Sequence, residues 1–564
     1  MIRAERMRVW LTLALLFHAT TAVAGPPKDK NHSDVQGRYF AKKTYVPVPL
    51  HQFATLRNEL PAPIYEAQPL WVELYWKAWE LASRNFYEPP PGSGFVSAFI
   101  DAAFNENIFL WDSCFMTMFC NYGHPLVPGI STLDNFYAKQ HADGEICREI
   151  VRARGADFGP WTNVEGRSLF SRWGWPEYMD NAFRERNEPM RYRGRPKPQP
   201  APRLTLDALN HPIMAWAELE SFRVTGDRAR LVMVWEPLVR FYGALQKYLL
   251  QGNGLYATDW ASMDNSPRNH YLEGGGTGID ISSEMALFAR QLAEIAEILG
   301  NHEAADQYAR EADALAQIIN RQMWDSGRKF YFDLSLQGVR TPVKTVAAYW
   351  TLLARVASPA QADALLKELD DHPTFGRMNP VPTLSADAEG YDPAGGYWRG
   401  SVWAPTETMV IRGVENYGYR ERARALALHH LDLVAKVFQK TGTIWENYAP
   451  DGIAPGKPAA RDFVGWSGIA PILFLLEYAI GLKPDAARNR LVWDLQPEGR
   501  TGCDRYRFNG HVTSLVAQPV AGQRGALELS VASDGDFSLE VHCRGKQETF
   551  AVEKGAQKFA MEFQ

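Results

Sequence analysis

Four short segments of the chain combine tryptophan with carboxylate, arginine or glycine residues. They are NENIFLWDSCF (105–115), TDWASMDNSPR (258–268), GGYWRGSVWAP (395–405) and TIWENYAPDG (443–452). A sugar ring has apolar C–H faces and a girdle of hydroxyls, so a sugar site needs aromatic plates together with carboxylates or arginine. The four segments supply both and therefore indicate a carbohydrate site.

Two of these segments each contain one acid that could take part in hydrolysis. Cleavage of a glycosidic bond needs one carboxyl group to protonate the leaving oxygen and a second to activate water or attack the sugar. Asp264 lies among Trp260, Met263 and Pro267, where desolvation would raise its pKa and keep it protonated as a general acid. Glu446 lies next to polar side chains that could hold an ionised base. Asp-Asn-Ser-Pro is also a good turn sequence, and Glu446 alone would equally suit a helix start or the surface.

Amphipathic helices dominate the sequence that must position these acids. Apolar residues recur at steps of three and four in two long stretches, 234–248 and 285–299. Gly226, Gly300 and Gly418 each separate two helical patterns, where a left-handed glycine can end a helix. Helical patterns also cover 70–86, 108–120, 205–224, 302–323, 341–355, 401–414, 420–438 and 466–480. So many paired helices favour a toroid or a solenoid, and the recurrence of aromatic and acidic loops favours the toroid.

The pattern changes along the chain in a way that predicts four regions. The prediction is a signal peptide at 1–24, an extended arm at 25–66, a helical toroid at 67–485 and a small β-rich module at 486–564. Alternating runs such as ALELSVAS and FSLEVHC support the last region. The Pro-rich and charged stretch 185–203 is expected to form a long loop on one face of the toroid.

The first 25 residues and the cysteine content bear on where the protein works. A basic start, an apolar run from Val9 to Phe17 and Ala22-Val23-Ala24 before Gly25 form a signal-peptide pattern. We therefore expect a periplasmic or secreted protein without a membrane anchor after cleavage. The five cysteines are too few for a disulfide scaffold, although a Cys503–Cys543 bridge is compatible with the sequence.

Charge and motif content exclude several other functions. A net charge of −5 over 564 residues offers no broad positive surface for nucleic acid. No zinc-binding pattern is present, and no run has the spacing of a calcium loop, so a structural Ca²⁺ has no support. The proposed chemistry needs no cofactor. The oligomeric state stays open.

Six pieces of the sequence together resemble a known family. In order along the chain they are Trp111-Asp112, QHADG (140–144), ASMDNSPR (261–268), Met323-Trp324-Asp325 followed by FYFD, YWRGSVW (397–403), and IWENY (444–448) with GWS (465–467). They resemble the (α/α)6-barrel glycoside hydrolases of family 63 type, including the mannosylglycerate hydrolase and trehalase groups. The resemblance runs from about residue 65 to 480 and implies an all-α (α/α)6 toroid of the six-hairpin glycosidase type.

The resemblance also implies roles for individual residues. Asp264 would be the general acid and Glu446 the general base of a reaction that inverts configuration. An inverting pair stands about 6.5 to 9.5 Å apart, whereas a retaining pair stands about 5 to 5.5 Å apart. The implied substrate-binding residues are Trp111, Asp112, Gln140, Asp143, Trp260, Arg268, Trp398, Arg399, Trp403, Trp445, Tyr448 and Trp466. Arg399 would act as a hydroxyl or carboxylate clamp, and Arg268 would orient Asp264.

The expected function is hydrolysis of an α-linked glycoside or oligosaccharide, and the sugar stays open among glucosides, mannosides and trehalose. Met263 departs from the family because such motifs often carry tryptophan there. Two alternatives remain. A polysaccharide lyase could use Tyr271 or His270 as base beside Arg268, but it would not explain the two acids. A carbohydrate-binding protein without catalysis would need the aromatic plates alone.

Overall fold

The computed structural model describes residues 45–47, 49–102, 105–141, 143–157, 211–258, 263–272, 276–496, 498–523 and 525–563. The predicted signal peptide, the predicted arm before residue 45 and the 185–203 loop lie outside the described residues. Helices dominate the described chain as far as residue 480, and strands dominate beyond it.

The α-helices of the described residues are α1 (Phe53–Leu56), α2 (Pro69–Ser83), α3 (Leu110–Cys120), α4 (Thr132–Ala138), α5 (Met214–Thr225), α6 (Arg228–Leu249), α7 (Asn269–Leu272), α8 (Ile279–Leu299), α9 (His302–Met323), α10 (Trp350–Leu353), α11 (Pro359–Asp370), α12 (Ala404–Asn416) and α13 (Arg420–Thr441). A π-helix spans Ile469–Ile480, and 3₁₀ turns cover Asn121–Gly123, Val346–Tyr349, Trp466–Gly468 and Ala486–Arg488.

Six of these elements form a closed inner ring. Each contacts the next in the order α3, α5, α8, α10, α12 and the π-helix, which returns to contact α3. Other helices pack outside this ring: α9 on α8, α6 on α5 and α8, and α13 on α12 and the π-helix. All twelve residues of the π-helix are buried, whereas α9 buries one stripe from Ala305 to Met323. The fold is a helical toroid.

Local sequence signals set the helix ends. Gly226 and Gly300 follow α5 and α8 with φ of 69° and 79°, a left-handed conformation that glycine adopts without a Cβ clash. The next residue caps the following helix, since the side chains of Asp227 and Asn301 accept hydrogen bonds from backbone N–H groups. The predicted glycine joints are therefore confirmed at both places.

Aromatic side chains fill the axis of the toroid. Trp111 packs edge-on against Phe115 with ring centroids 4.7 Å apart, Phe115 against Trp216 at 5.6 Å, and Trp216 against Trp350 at 6.0 Å. Because α3, α5 and α10 all contribute to this aromatic column, it crosses the inside of the ring. The ring is thus a filled core with two separate ends.

Short strands lie within the helical part, and most of the strands in the module after it are longer. The short strands are β1 (Ala62–Tyr65), β2 (Phe86–Tyr87), β3 (Phe99–Ile100), β4 (Asn107–Phe109), β5 (Glu149–Val151), β6 (Ala156–Asp157), β7 (Trp324–Asp325) and β8 (Phe330–Tyr331). Strand β2 pairs with β3, β7 with β8, and β4, β5 and β6 form a three-stranded sheet. The module contains β9 (Leu482–Asp485), β10 (Arg490–Leu495), β11 (Thr501–Phe508), β12 (His511–Pro519), β13 (Ala526–Ser533), β14 (Phe537–Cys543), β15 (Lys546–Val552) and β16 (Gly555–Glu562).

The module consists of two sheets that pack on the toroid. One sheet has the strand order β1-β11-β12-β13-β16 and the other β15-β14-β10-β9. Strand β1, from the predicted arm, pairs with β11, with Ala62 opposite Asp504. Strand β9 begins before the predicted boundary at 486. The indole N–H of Trp493 donates to the carbonyl of Ile480 at 2.9 Å, which ties the module to the end of the π-helix.

Two further expectations concern cysteines and membranes. Cys503 and Cys543 are both buried free thiols, so the bridge that the sequence allowed is not formed. Each lies in a different sheet of the module. No helix of the described residues combines the length and the apolar character that crossing a membrane requires.

Candidate active site

The segments singled out in the sequence meet at one end of the toroid, where the inner elements begin. Trp111 and Asp112 lie in the first turn of α3, and Trp403 directly precedes α12. Trp466 opens the 3₁₀ turn that leads into the π-helix. Because the inner elements lie side by side, their first turns bring together residues from distant parts of the chain. We call this the N-terminal end of the ring.

Four tryptophans form an aromatic cluster there. Trp398 and Trp403 stack with centroids 4.9 Å apart and an interplanar angle of 12°. Trp111 lies 6.4 Å from Trp398 and 6.2 Å from Trp466. Trp111 is partly exposed, whereas Trp403 is only 1% exposed. Trp403 is expected to line the pocket; in the structure it is buried and stacks on Trp398, and its contact with substrate stays a prediction.

The Asp264 loop is held against this cluster by its neighbour Asn265. The Asn265 side chain donates to the carbonyl of Gly396 at 3.0 Å and accepts from the backbone N–H of Trp398 at 2.9 Å. The amide of Asn269 donates to the carbonyl oxygens of Met263 and Asp264. These bonds fix the backbone of Asp264 beside the YWRG segment.

Arg268 supports the same loop from inside the protein. It has no exposed surface. Its guanidinium forms a two-point ion pair with Asp280, with N–O distances of 2.6 and 3.0 Å, and a contact of 2.8 Å with Asp333. It also donates to the sulfur of Met263. Because Asp280 and Asp333 hold the side chain in the core, Arg268 can act on the site through the Asp264 loop, and its expected contact with substrate stays a prediction.

Glu446 lies in a partly buried position with two hydrogen-bond donors. Its Oε1 accepts from the hydroxyl of Tyr397 at 3.1 Å, and its Oε2 accepts from the backbone N–H of Ala460 at 2.9 Å. Burial raises the pKa of Glu446, the two donors partly offset this, and the negative charge of Asp264 raises the pKa further. The Asp264 carboxylate is therefore near enough to influence the ionisation of Glu446.

Tyr397 connects the carboxylates of the site. Burial raises its pKa well above the usual value, and the charges of Glu446, Asp264 and Asp112 add to that rise. Its φ of 67° lies in the left-handed region, which costs a bulky residue on the order of 1–2 kcal/mol. Strain of this kind persists only where the surroundings hold it, and it concentrates at functional sites.

Asp112 is a buried acid at the edge of the aromatic cluster. Burial raises its pKa to about 8, although its own backbone N–H and the charge of Arg148 act in the opposite direction. Asp112 is thus protonated at neutral pH and can donate a hydrogen bond as well as accept one.

Gln140 and Asp143 are occupied by bonds within the protein. The Gln140 amide donates to the carbonyls of Gly144 and Pro237 at 2.9 and 2.8 Å, and the residue is 2% exposed. Asp143 accepts hydrogen bonds from the hydroxyl of Tyr248 and from a backbone N–H. Both residues hold the QHADG turn, and their expected contact with substrate stays a prediction.

The remaining predicted residues divide by accessibility. Tyr448 is 1% exposed and its hydroxyl accepts from the backbone of Trp445. Trp445 is partly exposed, with its indole N–H on Thr441. Within the described part of the chain, Arg399 donates only through Nε, to Gly390 at 2.8 Å. Its expected role as a clamp on the substrate stays a prediction. Trp260 lies outside the described residues.

Sequence reasoning missed three contributors to the site. Tyr397 and Asn265 lie inside motifs that were recognised, but neither was assigned a role. The glycines on either side of Tyr397 and Trp398 were the available signal for an unusual backbone conformation at Tyr397. The backbone of Ala460 carries no signal, because its contact with Glu446 depends on the return of a distant loop.

Trp466, one of the predicted site residues, donates through its indole N–H to the backbone carbonyl of Glu446 at 3.0 Å.

No group of three or more potential metal ligands occurs among the residues that the structure describes. The carboxylates near Tyr397 are combined with aromatic rings and backbone donors instead. The arrangement can bind an apolar sugar face and exchange protons through two acids.

The comparisons with known proteins define the class. Residues 197–467 match the family model described as the mannosylglycerate hydrolase MGH1-like glycoside hydrolase domain. Residues 197–467 therefore resemble a glycoside hydrolase domain of family 63 type, as the sequence motifs predict, and this similarity indicates a glycosidase.

Particular relatives agree with this class. A probable mannosyl-oligosaccharide glucosidase of Schizosaccharomyces pombe is 26% identical over 226 residues, 37% of this chain and 28% of the relative. A mannosylglycerate hydrolase of Rubrobacter radiotolerans is 28% identical over 193 residues, 33% of this chain and 41% of the relative. The chain thus spans less than half the length of each.

A solved structure has a similar fold. The family 63 mannosylglycerate hydrolase from Thermus thermophilus, in complex with glucose, superposes with a TM-score of 0.51 at 19% identity. The superposition covers 71% of this chain and 99% of that structure. At this identity the similarity concerns the fold alone.

Proposed function

We propose that the protein is an inverting glycoside hydrolase for α-linked sugars, with a six-hairpin (α/α)6 toroid, Asp264 as general acid and Glu446 as general base. The observation that supports this most is the setting of Tyr397. Its hydroxyl donates to Glu446, and the carboxyl groups of Asp264 and Asp112 lie near enough to affect its ionisation when they are charged. Two acids in one aromatic-lined region are what glycoside hydrolysis requires.

The proposed reaction follows from the protonation of each acid. Ionised Glu446 takes a proton from a water molecule, whose oxygen attacks the anomeric carbon. The bond from this carbon to the leaving oxygen breaks, and Asp264 donates its proton to that oxygen. Glu446 ends protonated and Asp264 ionised, so a proton transfer through solvent restores both.

Tyr397, Asp112 and the aromatic cluster have supporting roles in this proposal. The Tyr397 hydroxyl stabilises the charged form of Glu446 and orients it. Protonated Asp112 hydrogen-bonds a sugar hydroxyl, and Trp111 receives an apolar sugar face. Arg399 clamps a hydroxyl or carboxylate of the substrate. A lyase is disfavoured because Arg268, the cation it would need, is bound to two aspartates in the core.

The substrate class comes from the resemblance and from the relatives. One relative is named as a glucosidase and the other as a mannosylglycerate hydrolase. Candidate substrates are therefore α-glucosides, α-mannosides and trehalose-like disaccharides.

Proton NMR of the purified protein with α-linked disaccharides and aryl α-glycosides tests this proposal. A β-anomer as the first product would establish inversion, and the Asp264→Asn and Glu446→Gln variants should not form it. Glu303→Gln is a matched control, because Glu303 is exposed in the first turn of α9. Release of the α-anomer first, or full activity in either acid variant, would contradict the mechanism. Binding of sugars without turnover would favour the non-catalytic alternative.

We also propose export to the periplasm or medium, on the basis of the signal-peptide pattern in the first 25 residues. N-terminal sequencing of the protein recovered from the periplasm should begin near Gly25. A recovered chain that still carries the first residues would contradict this.

A further inference from the structure

A cavity of 490 Å³ opens at the opposite end of the ring, where the inner helices end. Its walls come from the last turns of α5 and α12, the second half of α8, the end of the π-helix and strand β9 of the module. We call it the C-terminal cavity. Its size falls within the range of small-molecule sites, about 300–1,000 Å³.

The carboxylates of this cavity are bound to cations. Arg412 contacts Glu220 at 3.1 Å, Glu415 at 3.4 Å and Glu477 at 2.6 Å. Lys483 contacts Glu415 at 2.6 Å. Burial raises the pKa of Glu220 and of Glu415, but the neighbouring cations more than offset this and the net shift is downward. These acids are therefore ionised and already neutralised.

Charge balance decides which ligand suits the cavity. Arg223 also pairs with Glu220, at 2.7 Å, and contacts Glu294 at 3.8 Å. Two further lining cations lie outside these pairs: Arg290 contacts Asp313 at 2.8 Å, and Arg355 donates to Asn416 at the exposed rim. With each of the four lining carboxylates close to a cation, a free metal ion would have to compete with existing pairs, whereas a small anion could contact the rim at Arg355. A neutral ligand with many hydroxyls can instead hydrogen-bond to the edges of those pairs without breaking them.

Gln291 and Trp216 supply the other chemistry of a sugar site. Gln291 is 5% exposed and lines the cavity, yet its Oε1 has no hydrogen-bond partner among the described residues. A buried acceptor without a partner destabilises the protein, and a ligand hydroxyl that donates to it removes this cost. Trp216 lies in the wall, 2% exposed, with its indole N–H on Glu220, so it adds an apolar floor to the cavity.

We propose that the C-terminal cavity is a second, non-catalytic binding site for a neutral polyhydroxylated molecule of monosaccharide to disaccharide size. A sugar hydroxyl would donate to Gln291 Oε1, and others would bridge the Arg412 ion pairs. The aromatic column separates this site from the Asp264–Glu446 end. The proposal does not depend on the catalytic assignment of those two acids.

Equilibrium dialysis with radiolabelled glucose and mannose, which hydrolysis cannot consume, tests the proposal on the full chain. Gln291→Met keeps the side-chain volume but removes the amide, and should weaken binding at the cavity roughly tenfold. Ala309→Phe places a ring in the cavity and should abolish the same site. Ala304→Phe is its matched control on helix α9, because Ala304 does not line the cavity.

Trp111→Ala identifies any binding at the other end of the ring. Sugar binding that survives Trp111→Ala and Ala304→Phe but falls in Gln291→Met and Ala309→Phe supports the proposal. Should Ala309→Phe fail to fold, Gln291→Met alone decides. The proposal is overturned if both cavity variants leave sugar binding unchanged. It is also overturned if no binding remains once Trp111→Ala has removed the site at the other end. Displacement of the sugar by inorganic phosphate at equal concentration would also overturn the assignment to a neutral ligand.

Discussion

The carboxylates at the two ends of the ring have different partners and opposite pKa shifts. At the N-terminal end, Glu446 is held by a tyrosine hydroxyl and a backbone N–H, and its pKa is raised. At the C-terminal end, Glu220 and Glu415 are held by Arg412 and Lys483, and their pKa values are lowered. An acid that exchanges protons must stay titratable, whereas an acid that fixes structure is best paired with a permanent cation.

The largest effect should come from Glu446→Gln. Loss of the general base should lower kcat by about 10²–10⁴-fold, with an unfolding temperature that is unchanged or higher, because burial of this carboxylate costs stability. Activity assays and thermal unfolding would check both. A large loss of stability with normal kcat per folded molecule would show that Glu446 has a structural role, like the carboxylates at the C-terminal end.

Arg412→Met should instead lower stability and leave catalysis intact. It leaves Glu220, Glu415 and Glu477 without their shared cation, which should lower the free energy of unfolding by about 3–5 kcal/mol. Activity per folded molecule should persist, because the site lies beyond the aromatic column. Urea unfolding and active-site-normalised kcat would measure the two effects. A stable but inactive Arg412→Met protein would show that the ends are coupled.

Tyr397→Phe should shift the pH profile of activity. The Tyr397 hydroxyl stabilises ionised Glu446, so removing it should raise the pKa of Glu446 further. The base must be ionised, and the acidic limb of kcat/KM should therefore move to higher pH. A Tyr417→Phe variant is the control, since the Tyr417 hydroxyl donates to Ala357 away from the site. An unmoved acidic limb in Tyr397→Phe would contradict this role.

Lys483→Met should have the smallest effect of the four variants. The effect should appear in how the free energy of unfolding depends on pH. The lowered pKa of Glu415 adds stability above the unfolded value of about 4.3, and that stability is lost as pH falls through the folded value. Removing Lys483 should cost about 1 kcal/mol at pH 7 and flatten the loss of stability below pH ~4.3. Unfolding curves from pH 3 to 7 would reveal this. An unchanged pH slope would mean that Arg412 alone sets the ionisation of Glu415.

The sequence was informative where structure depends on local interactions. The apolar stripes at 234–248 and 285–299 face the core, and the glycine joints end helices as expected. Both the helical period and a left-handed glycine at a helix end depend on a few neighbouring residues. The meeting of the Asp264 and Glu446 segments was predicted from the resemblance and not from periodicity.

Pairings between distant residues escaped prediction. Arg268 was assigned to substrate because it follows the Asp264 motif, but Asp333, 65 positions further along the chain, helps to bury it. The pairing of strand β1 with the C-terminal sheet was also not predicted. The sequence of one strand alone does not show which distant strand it pairs with. The C-terminal cavity likewise arises from the ends of helices that carry no motif.

The aromatic column has a consequence for how a long substrate could move. A ring with an open axis could thread a polymer and cleave it repeatedly without release, as a processive enzyme does. Here Phe115, Trp216 and Trp350 fill the axis, so a polymer could not thread through the middle of the ring, and any long substrate would have to approach Glu446 from the N-terminal end.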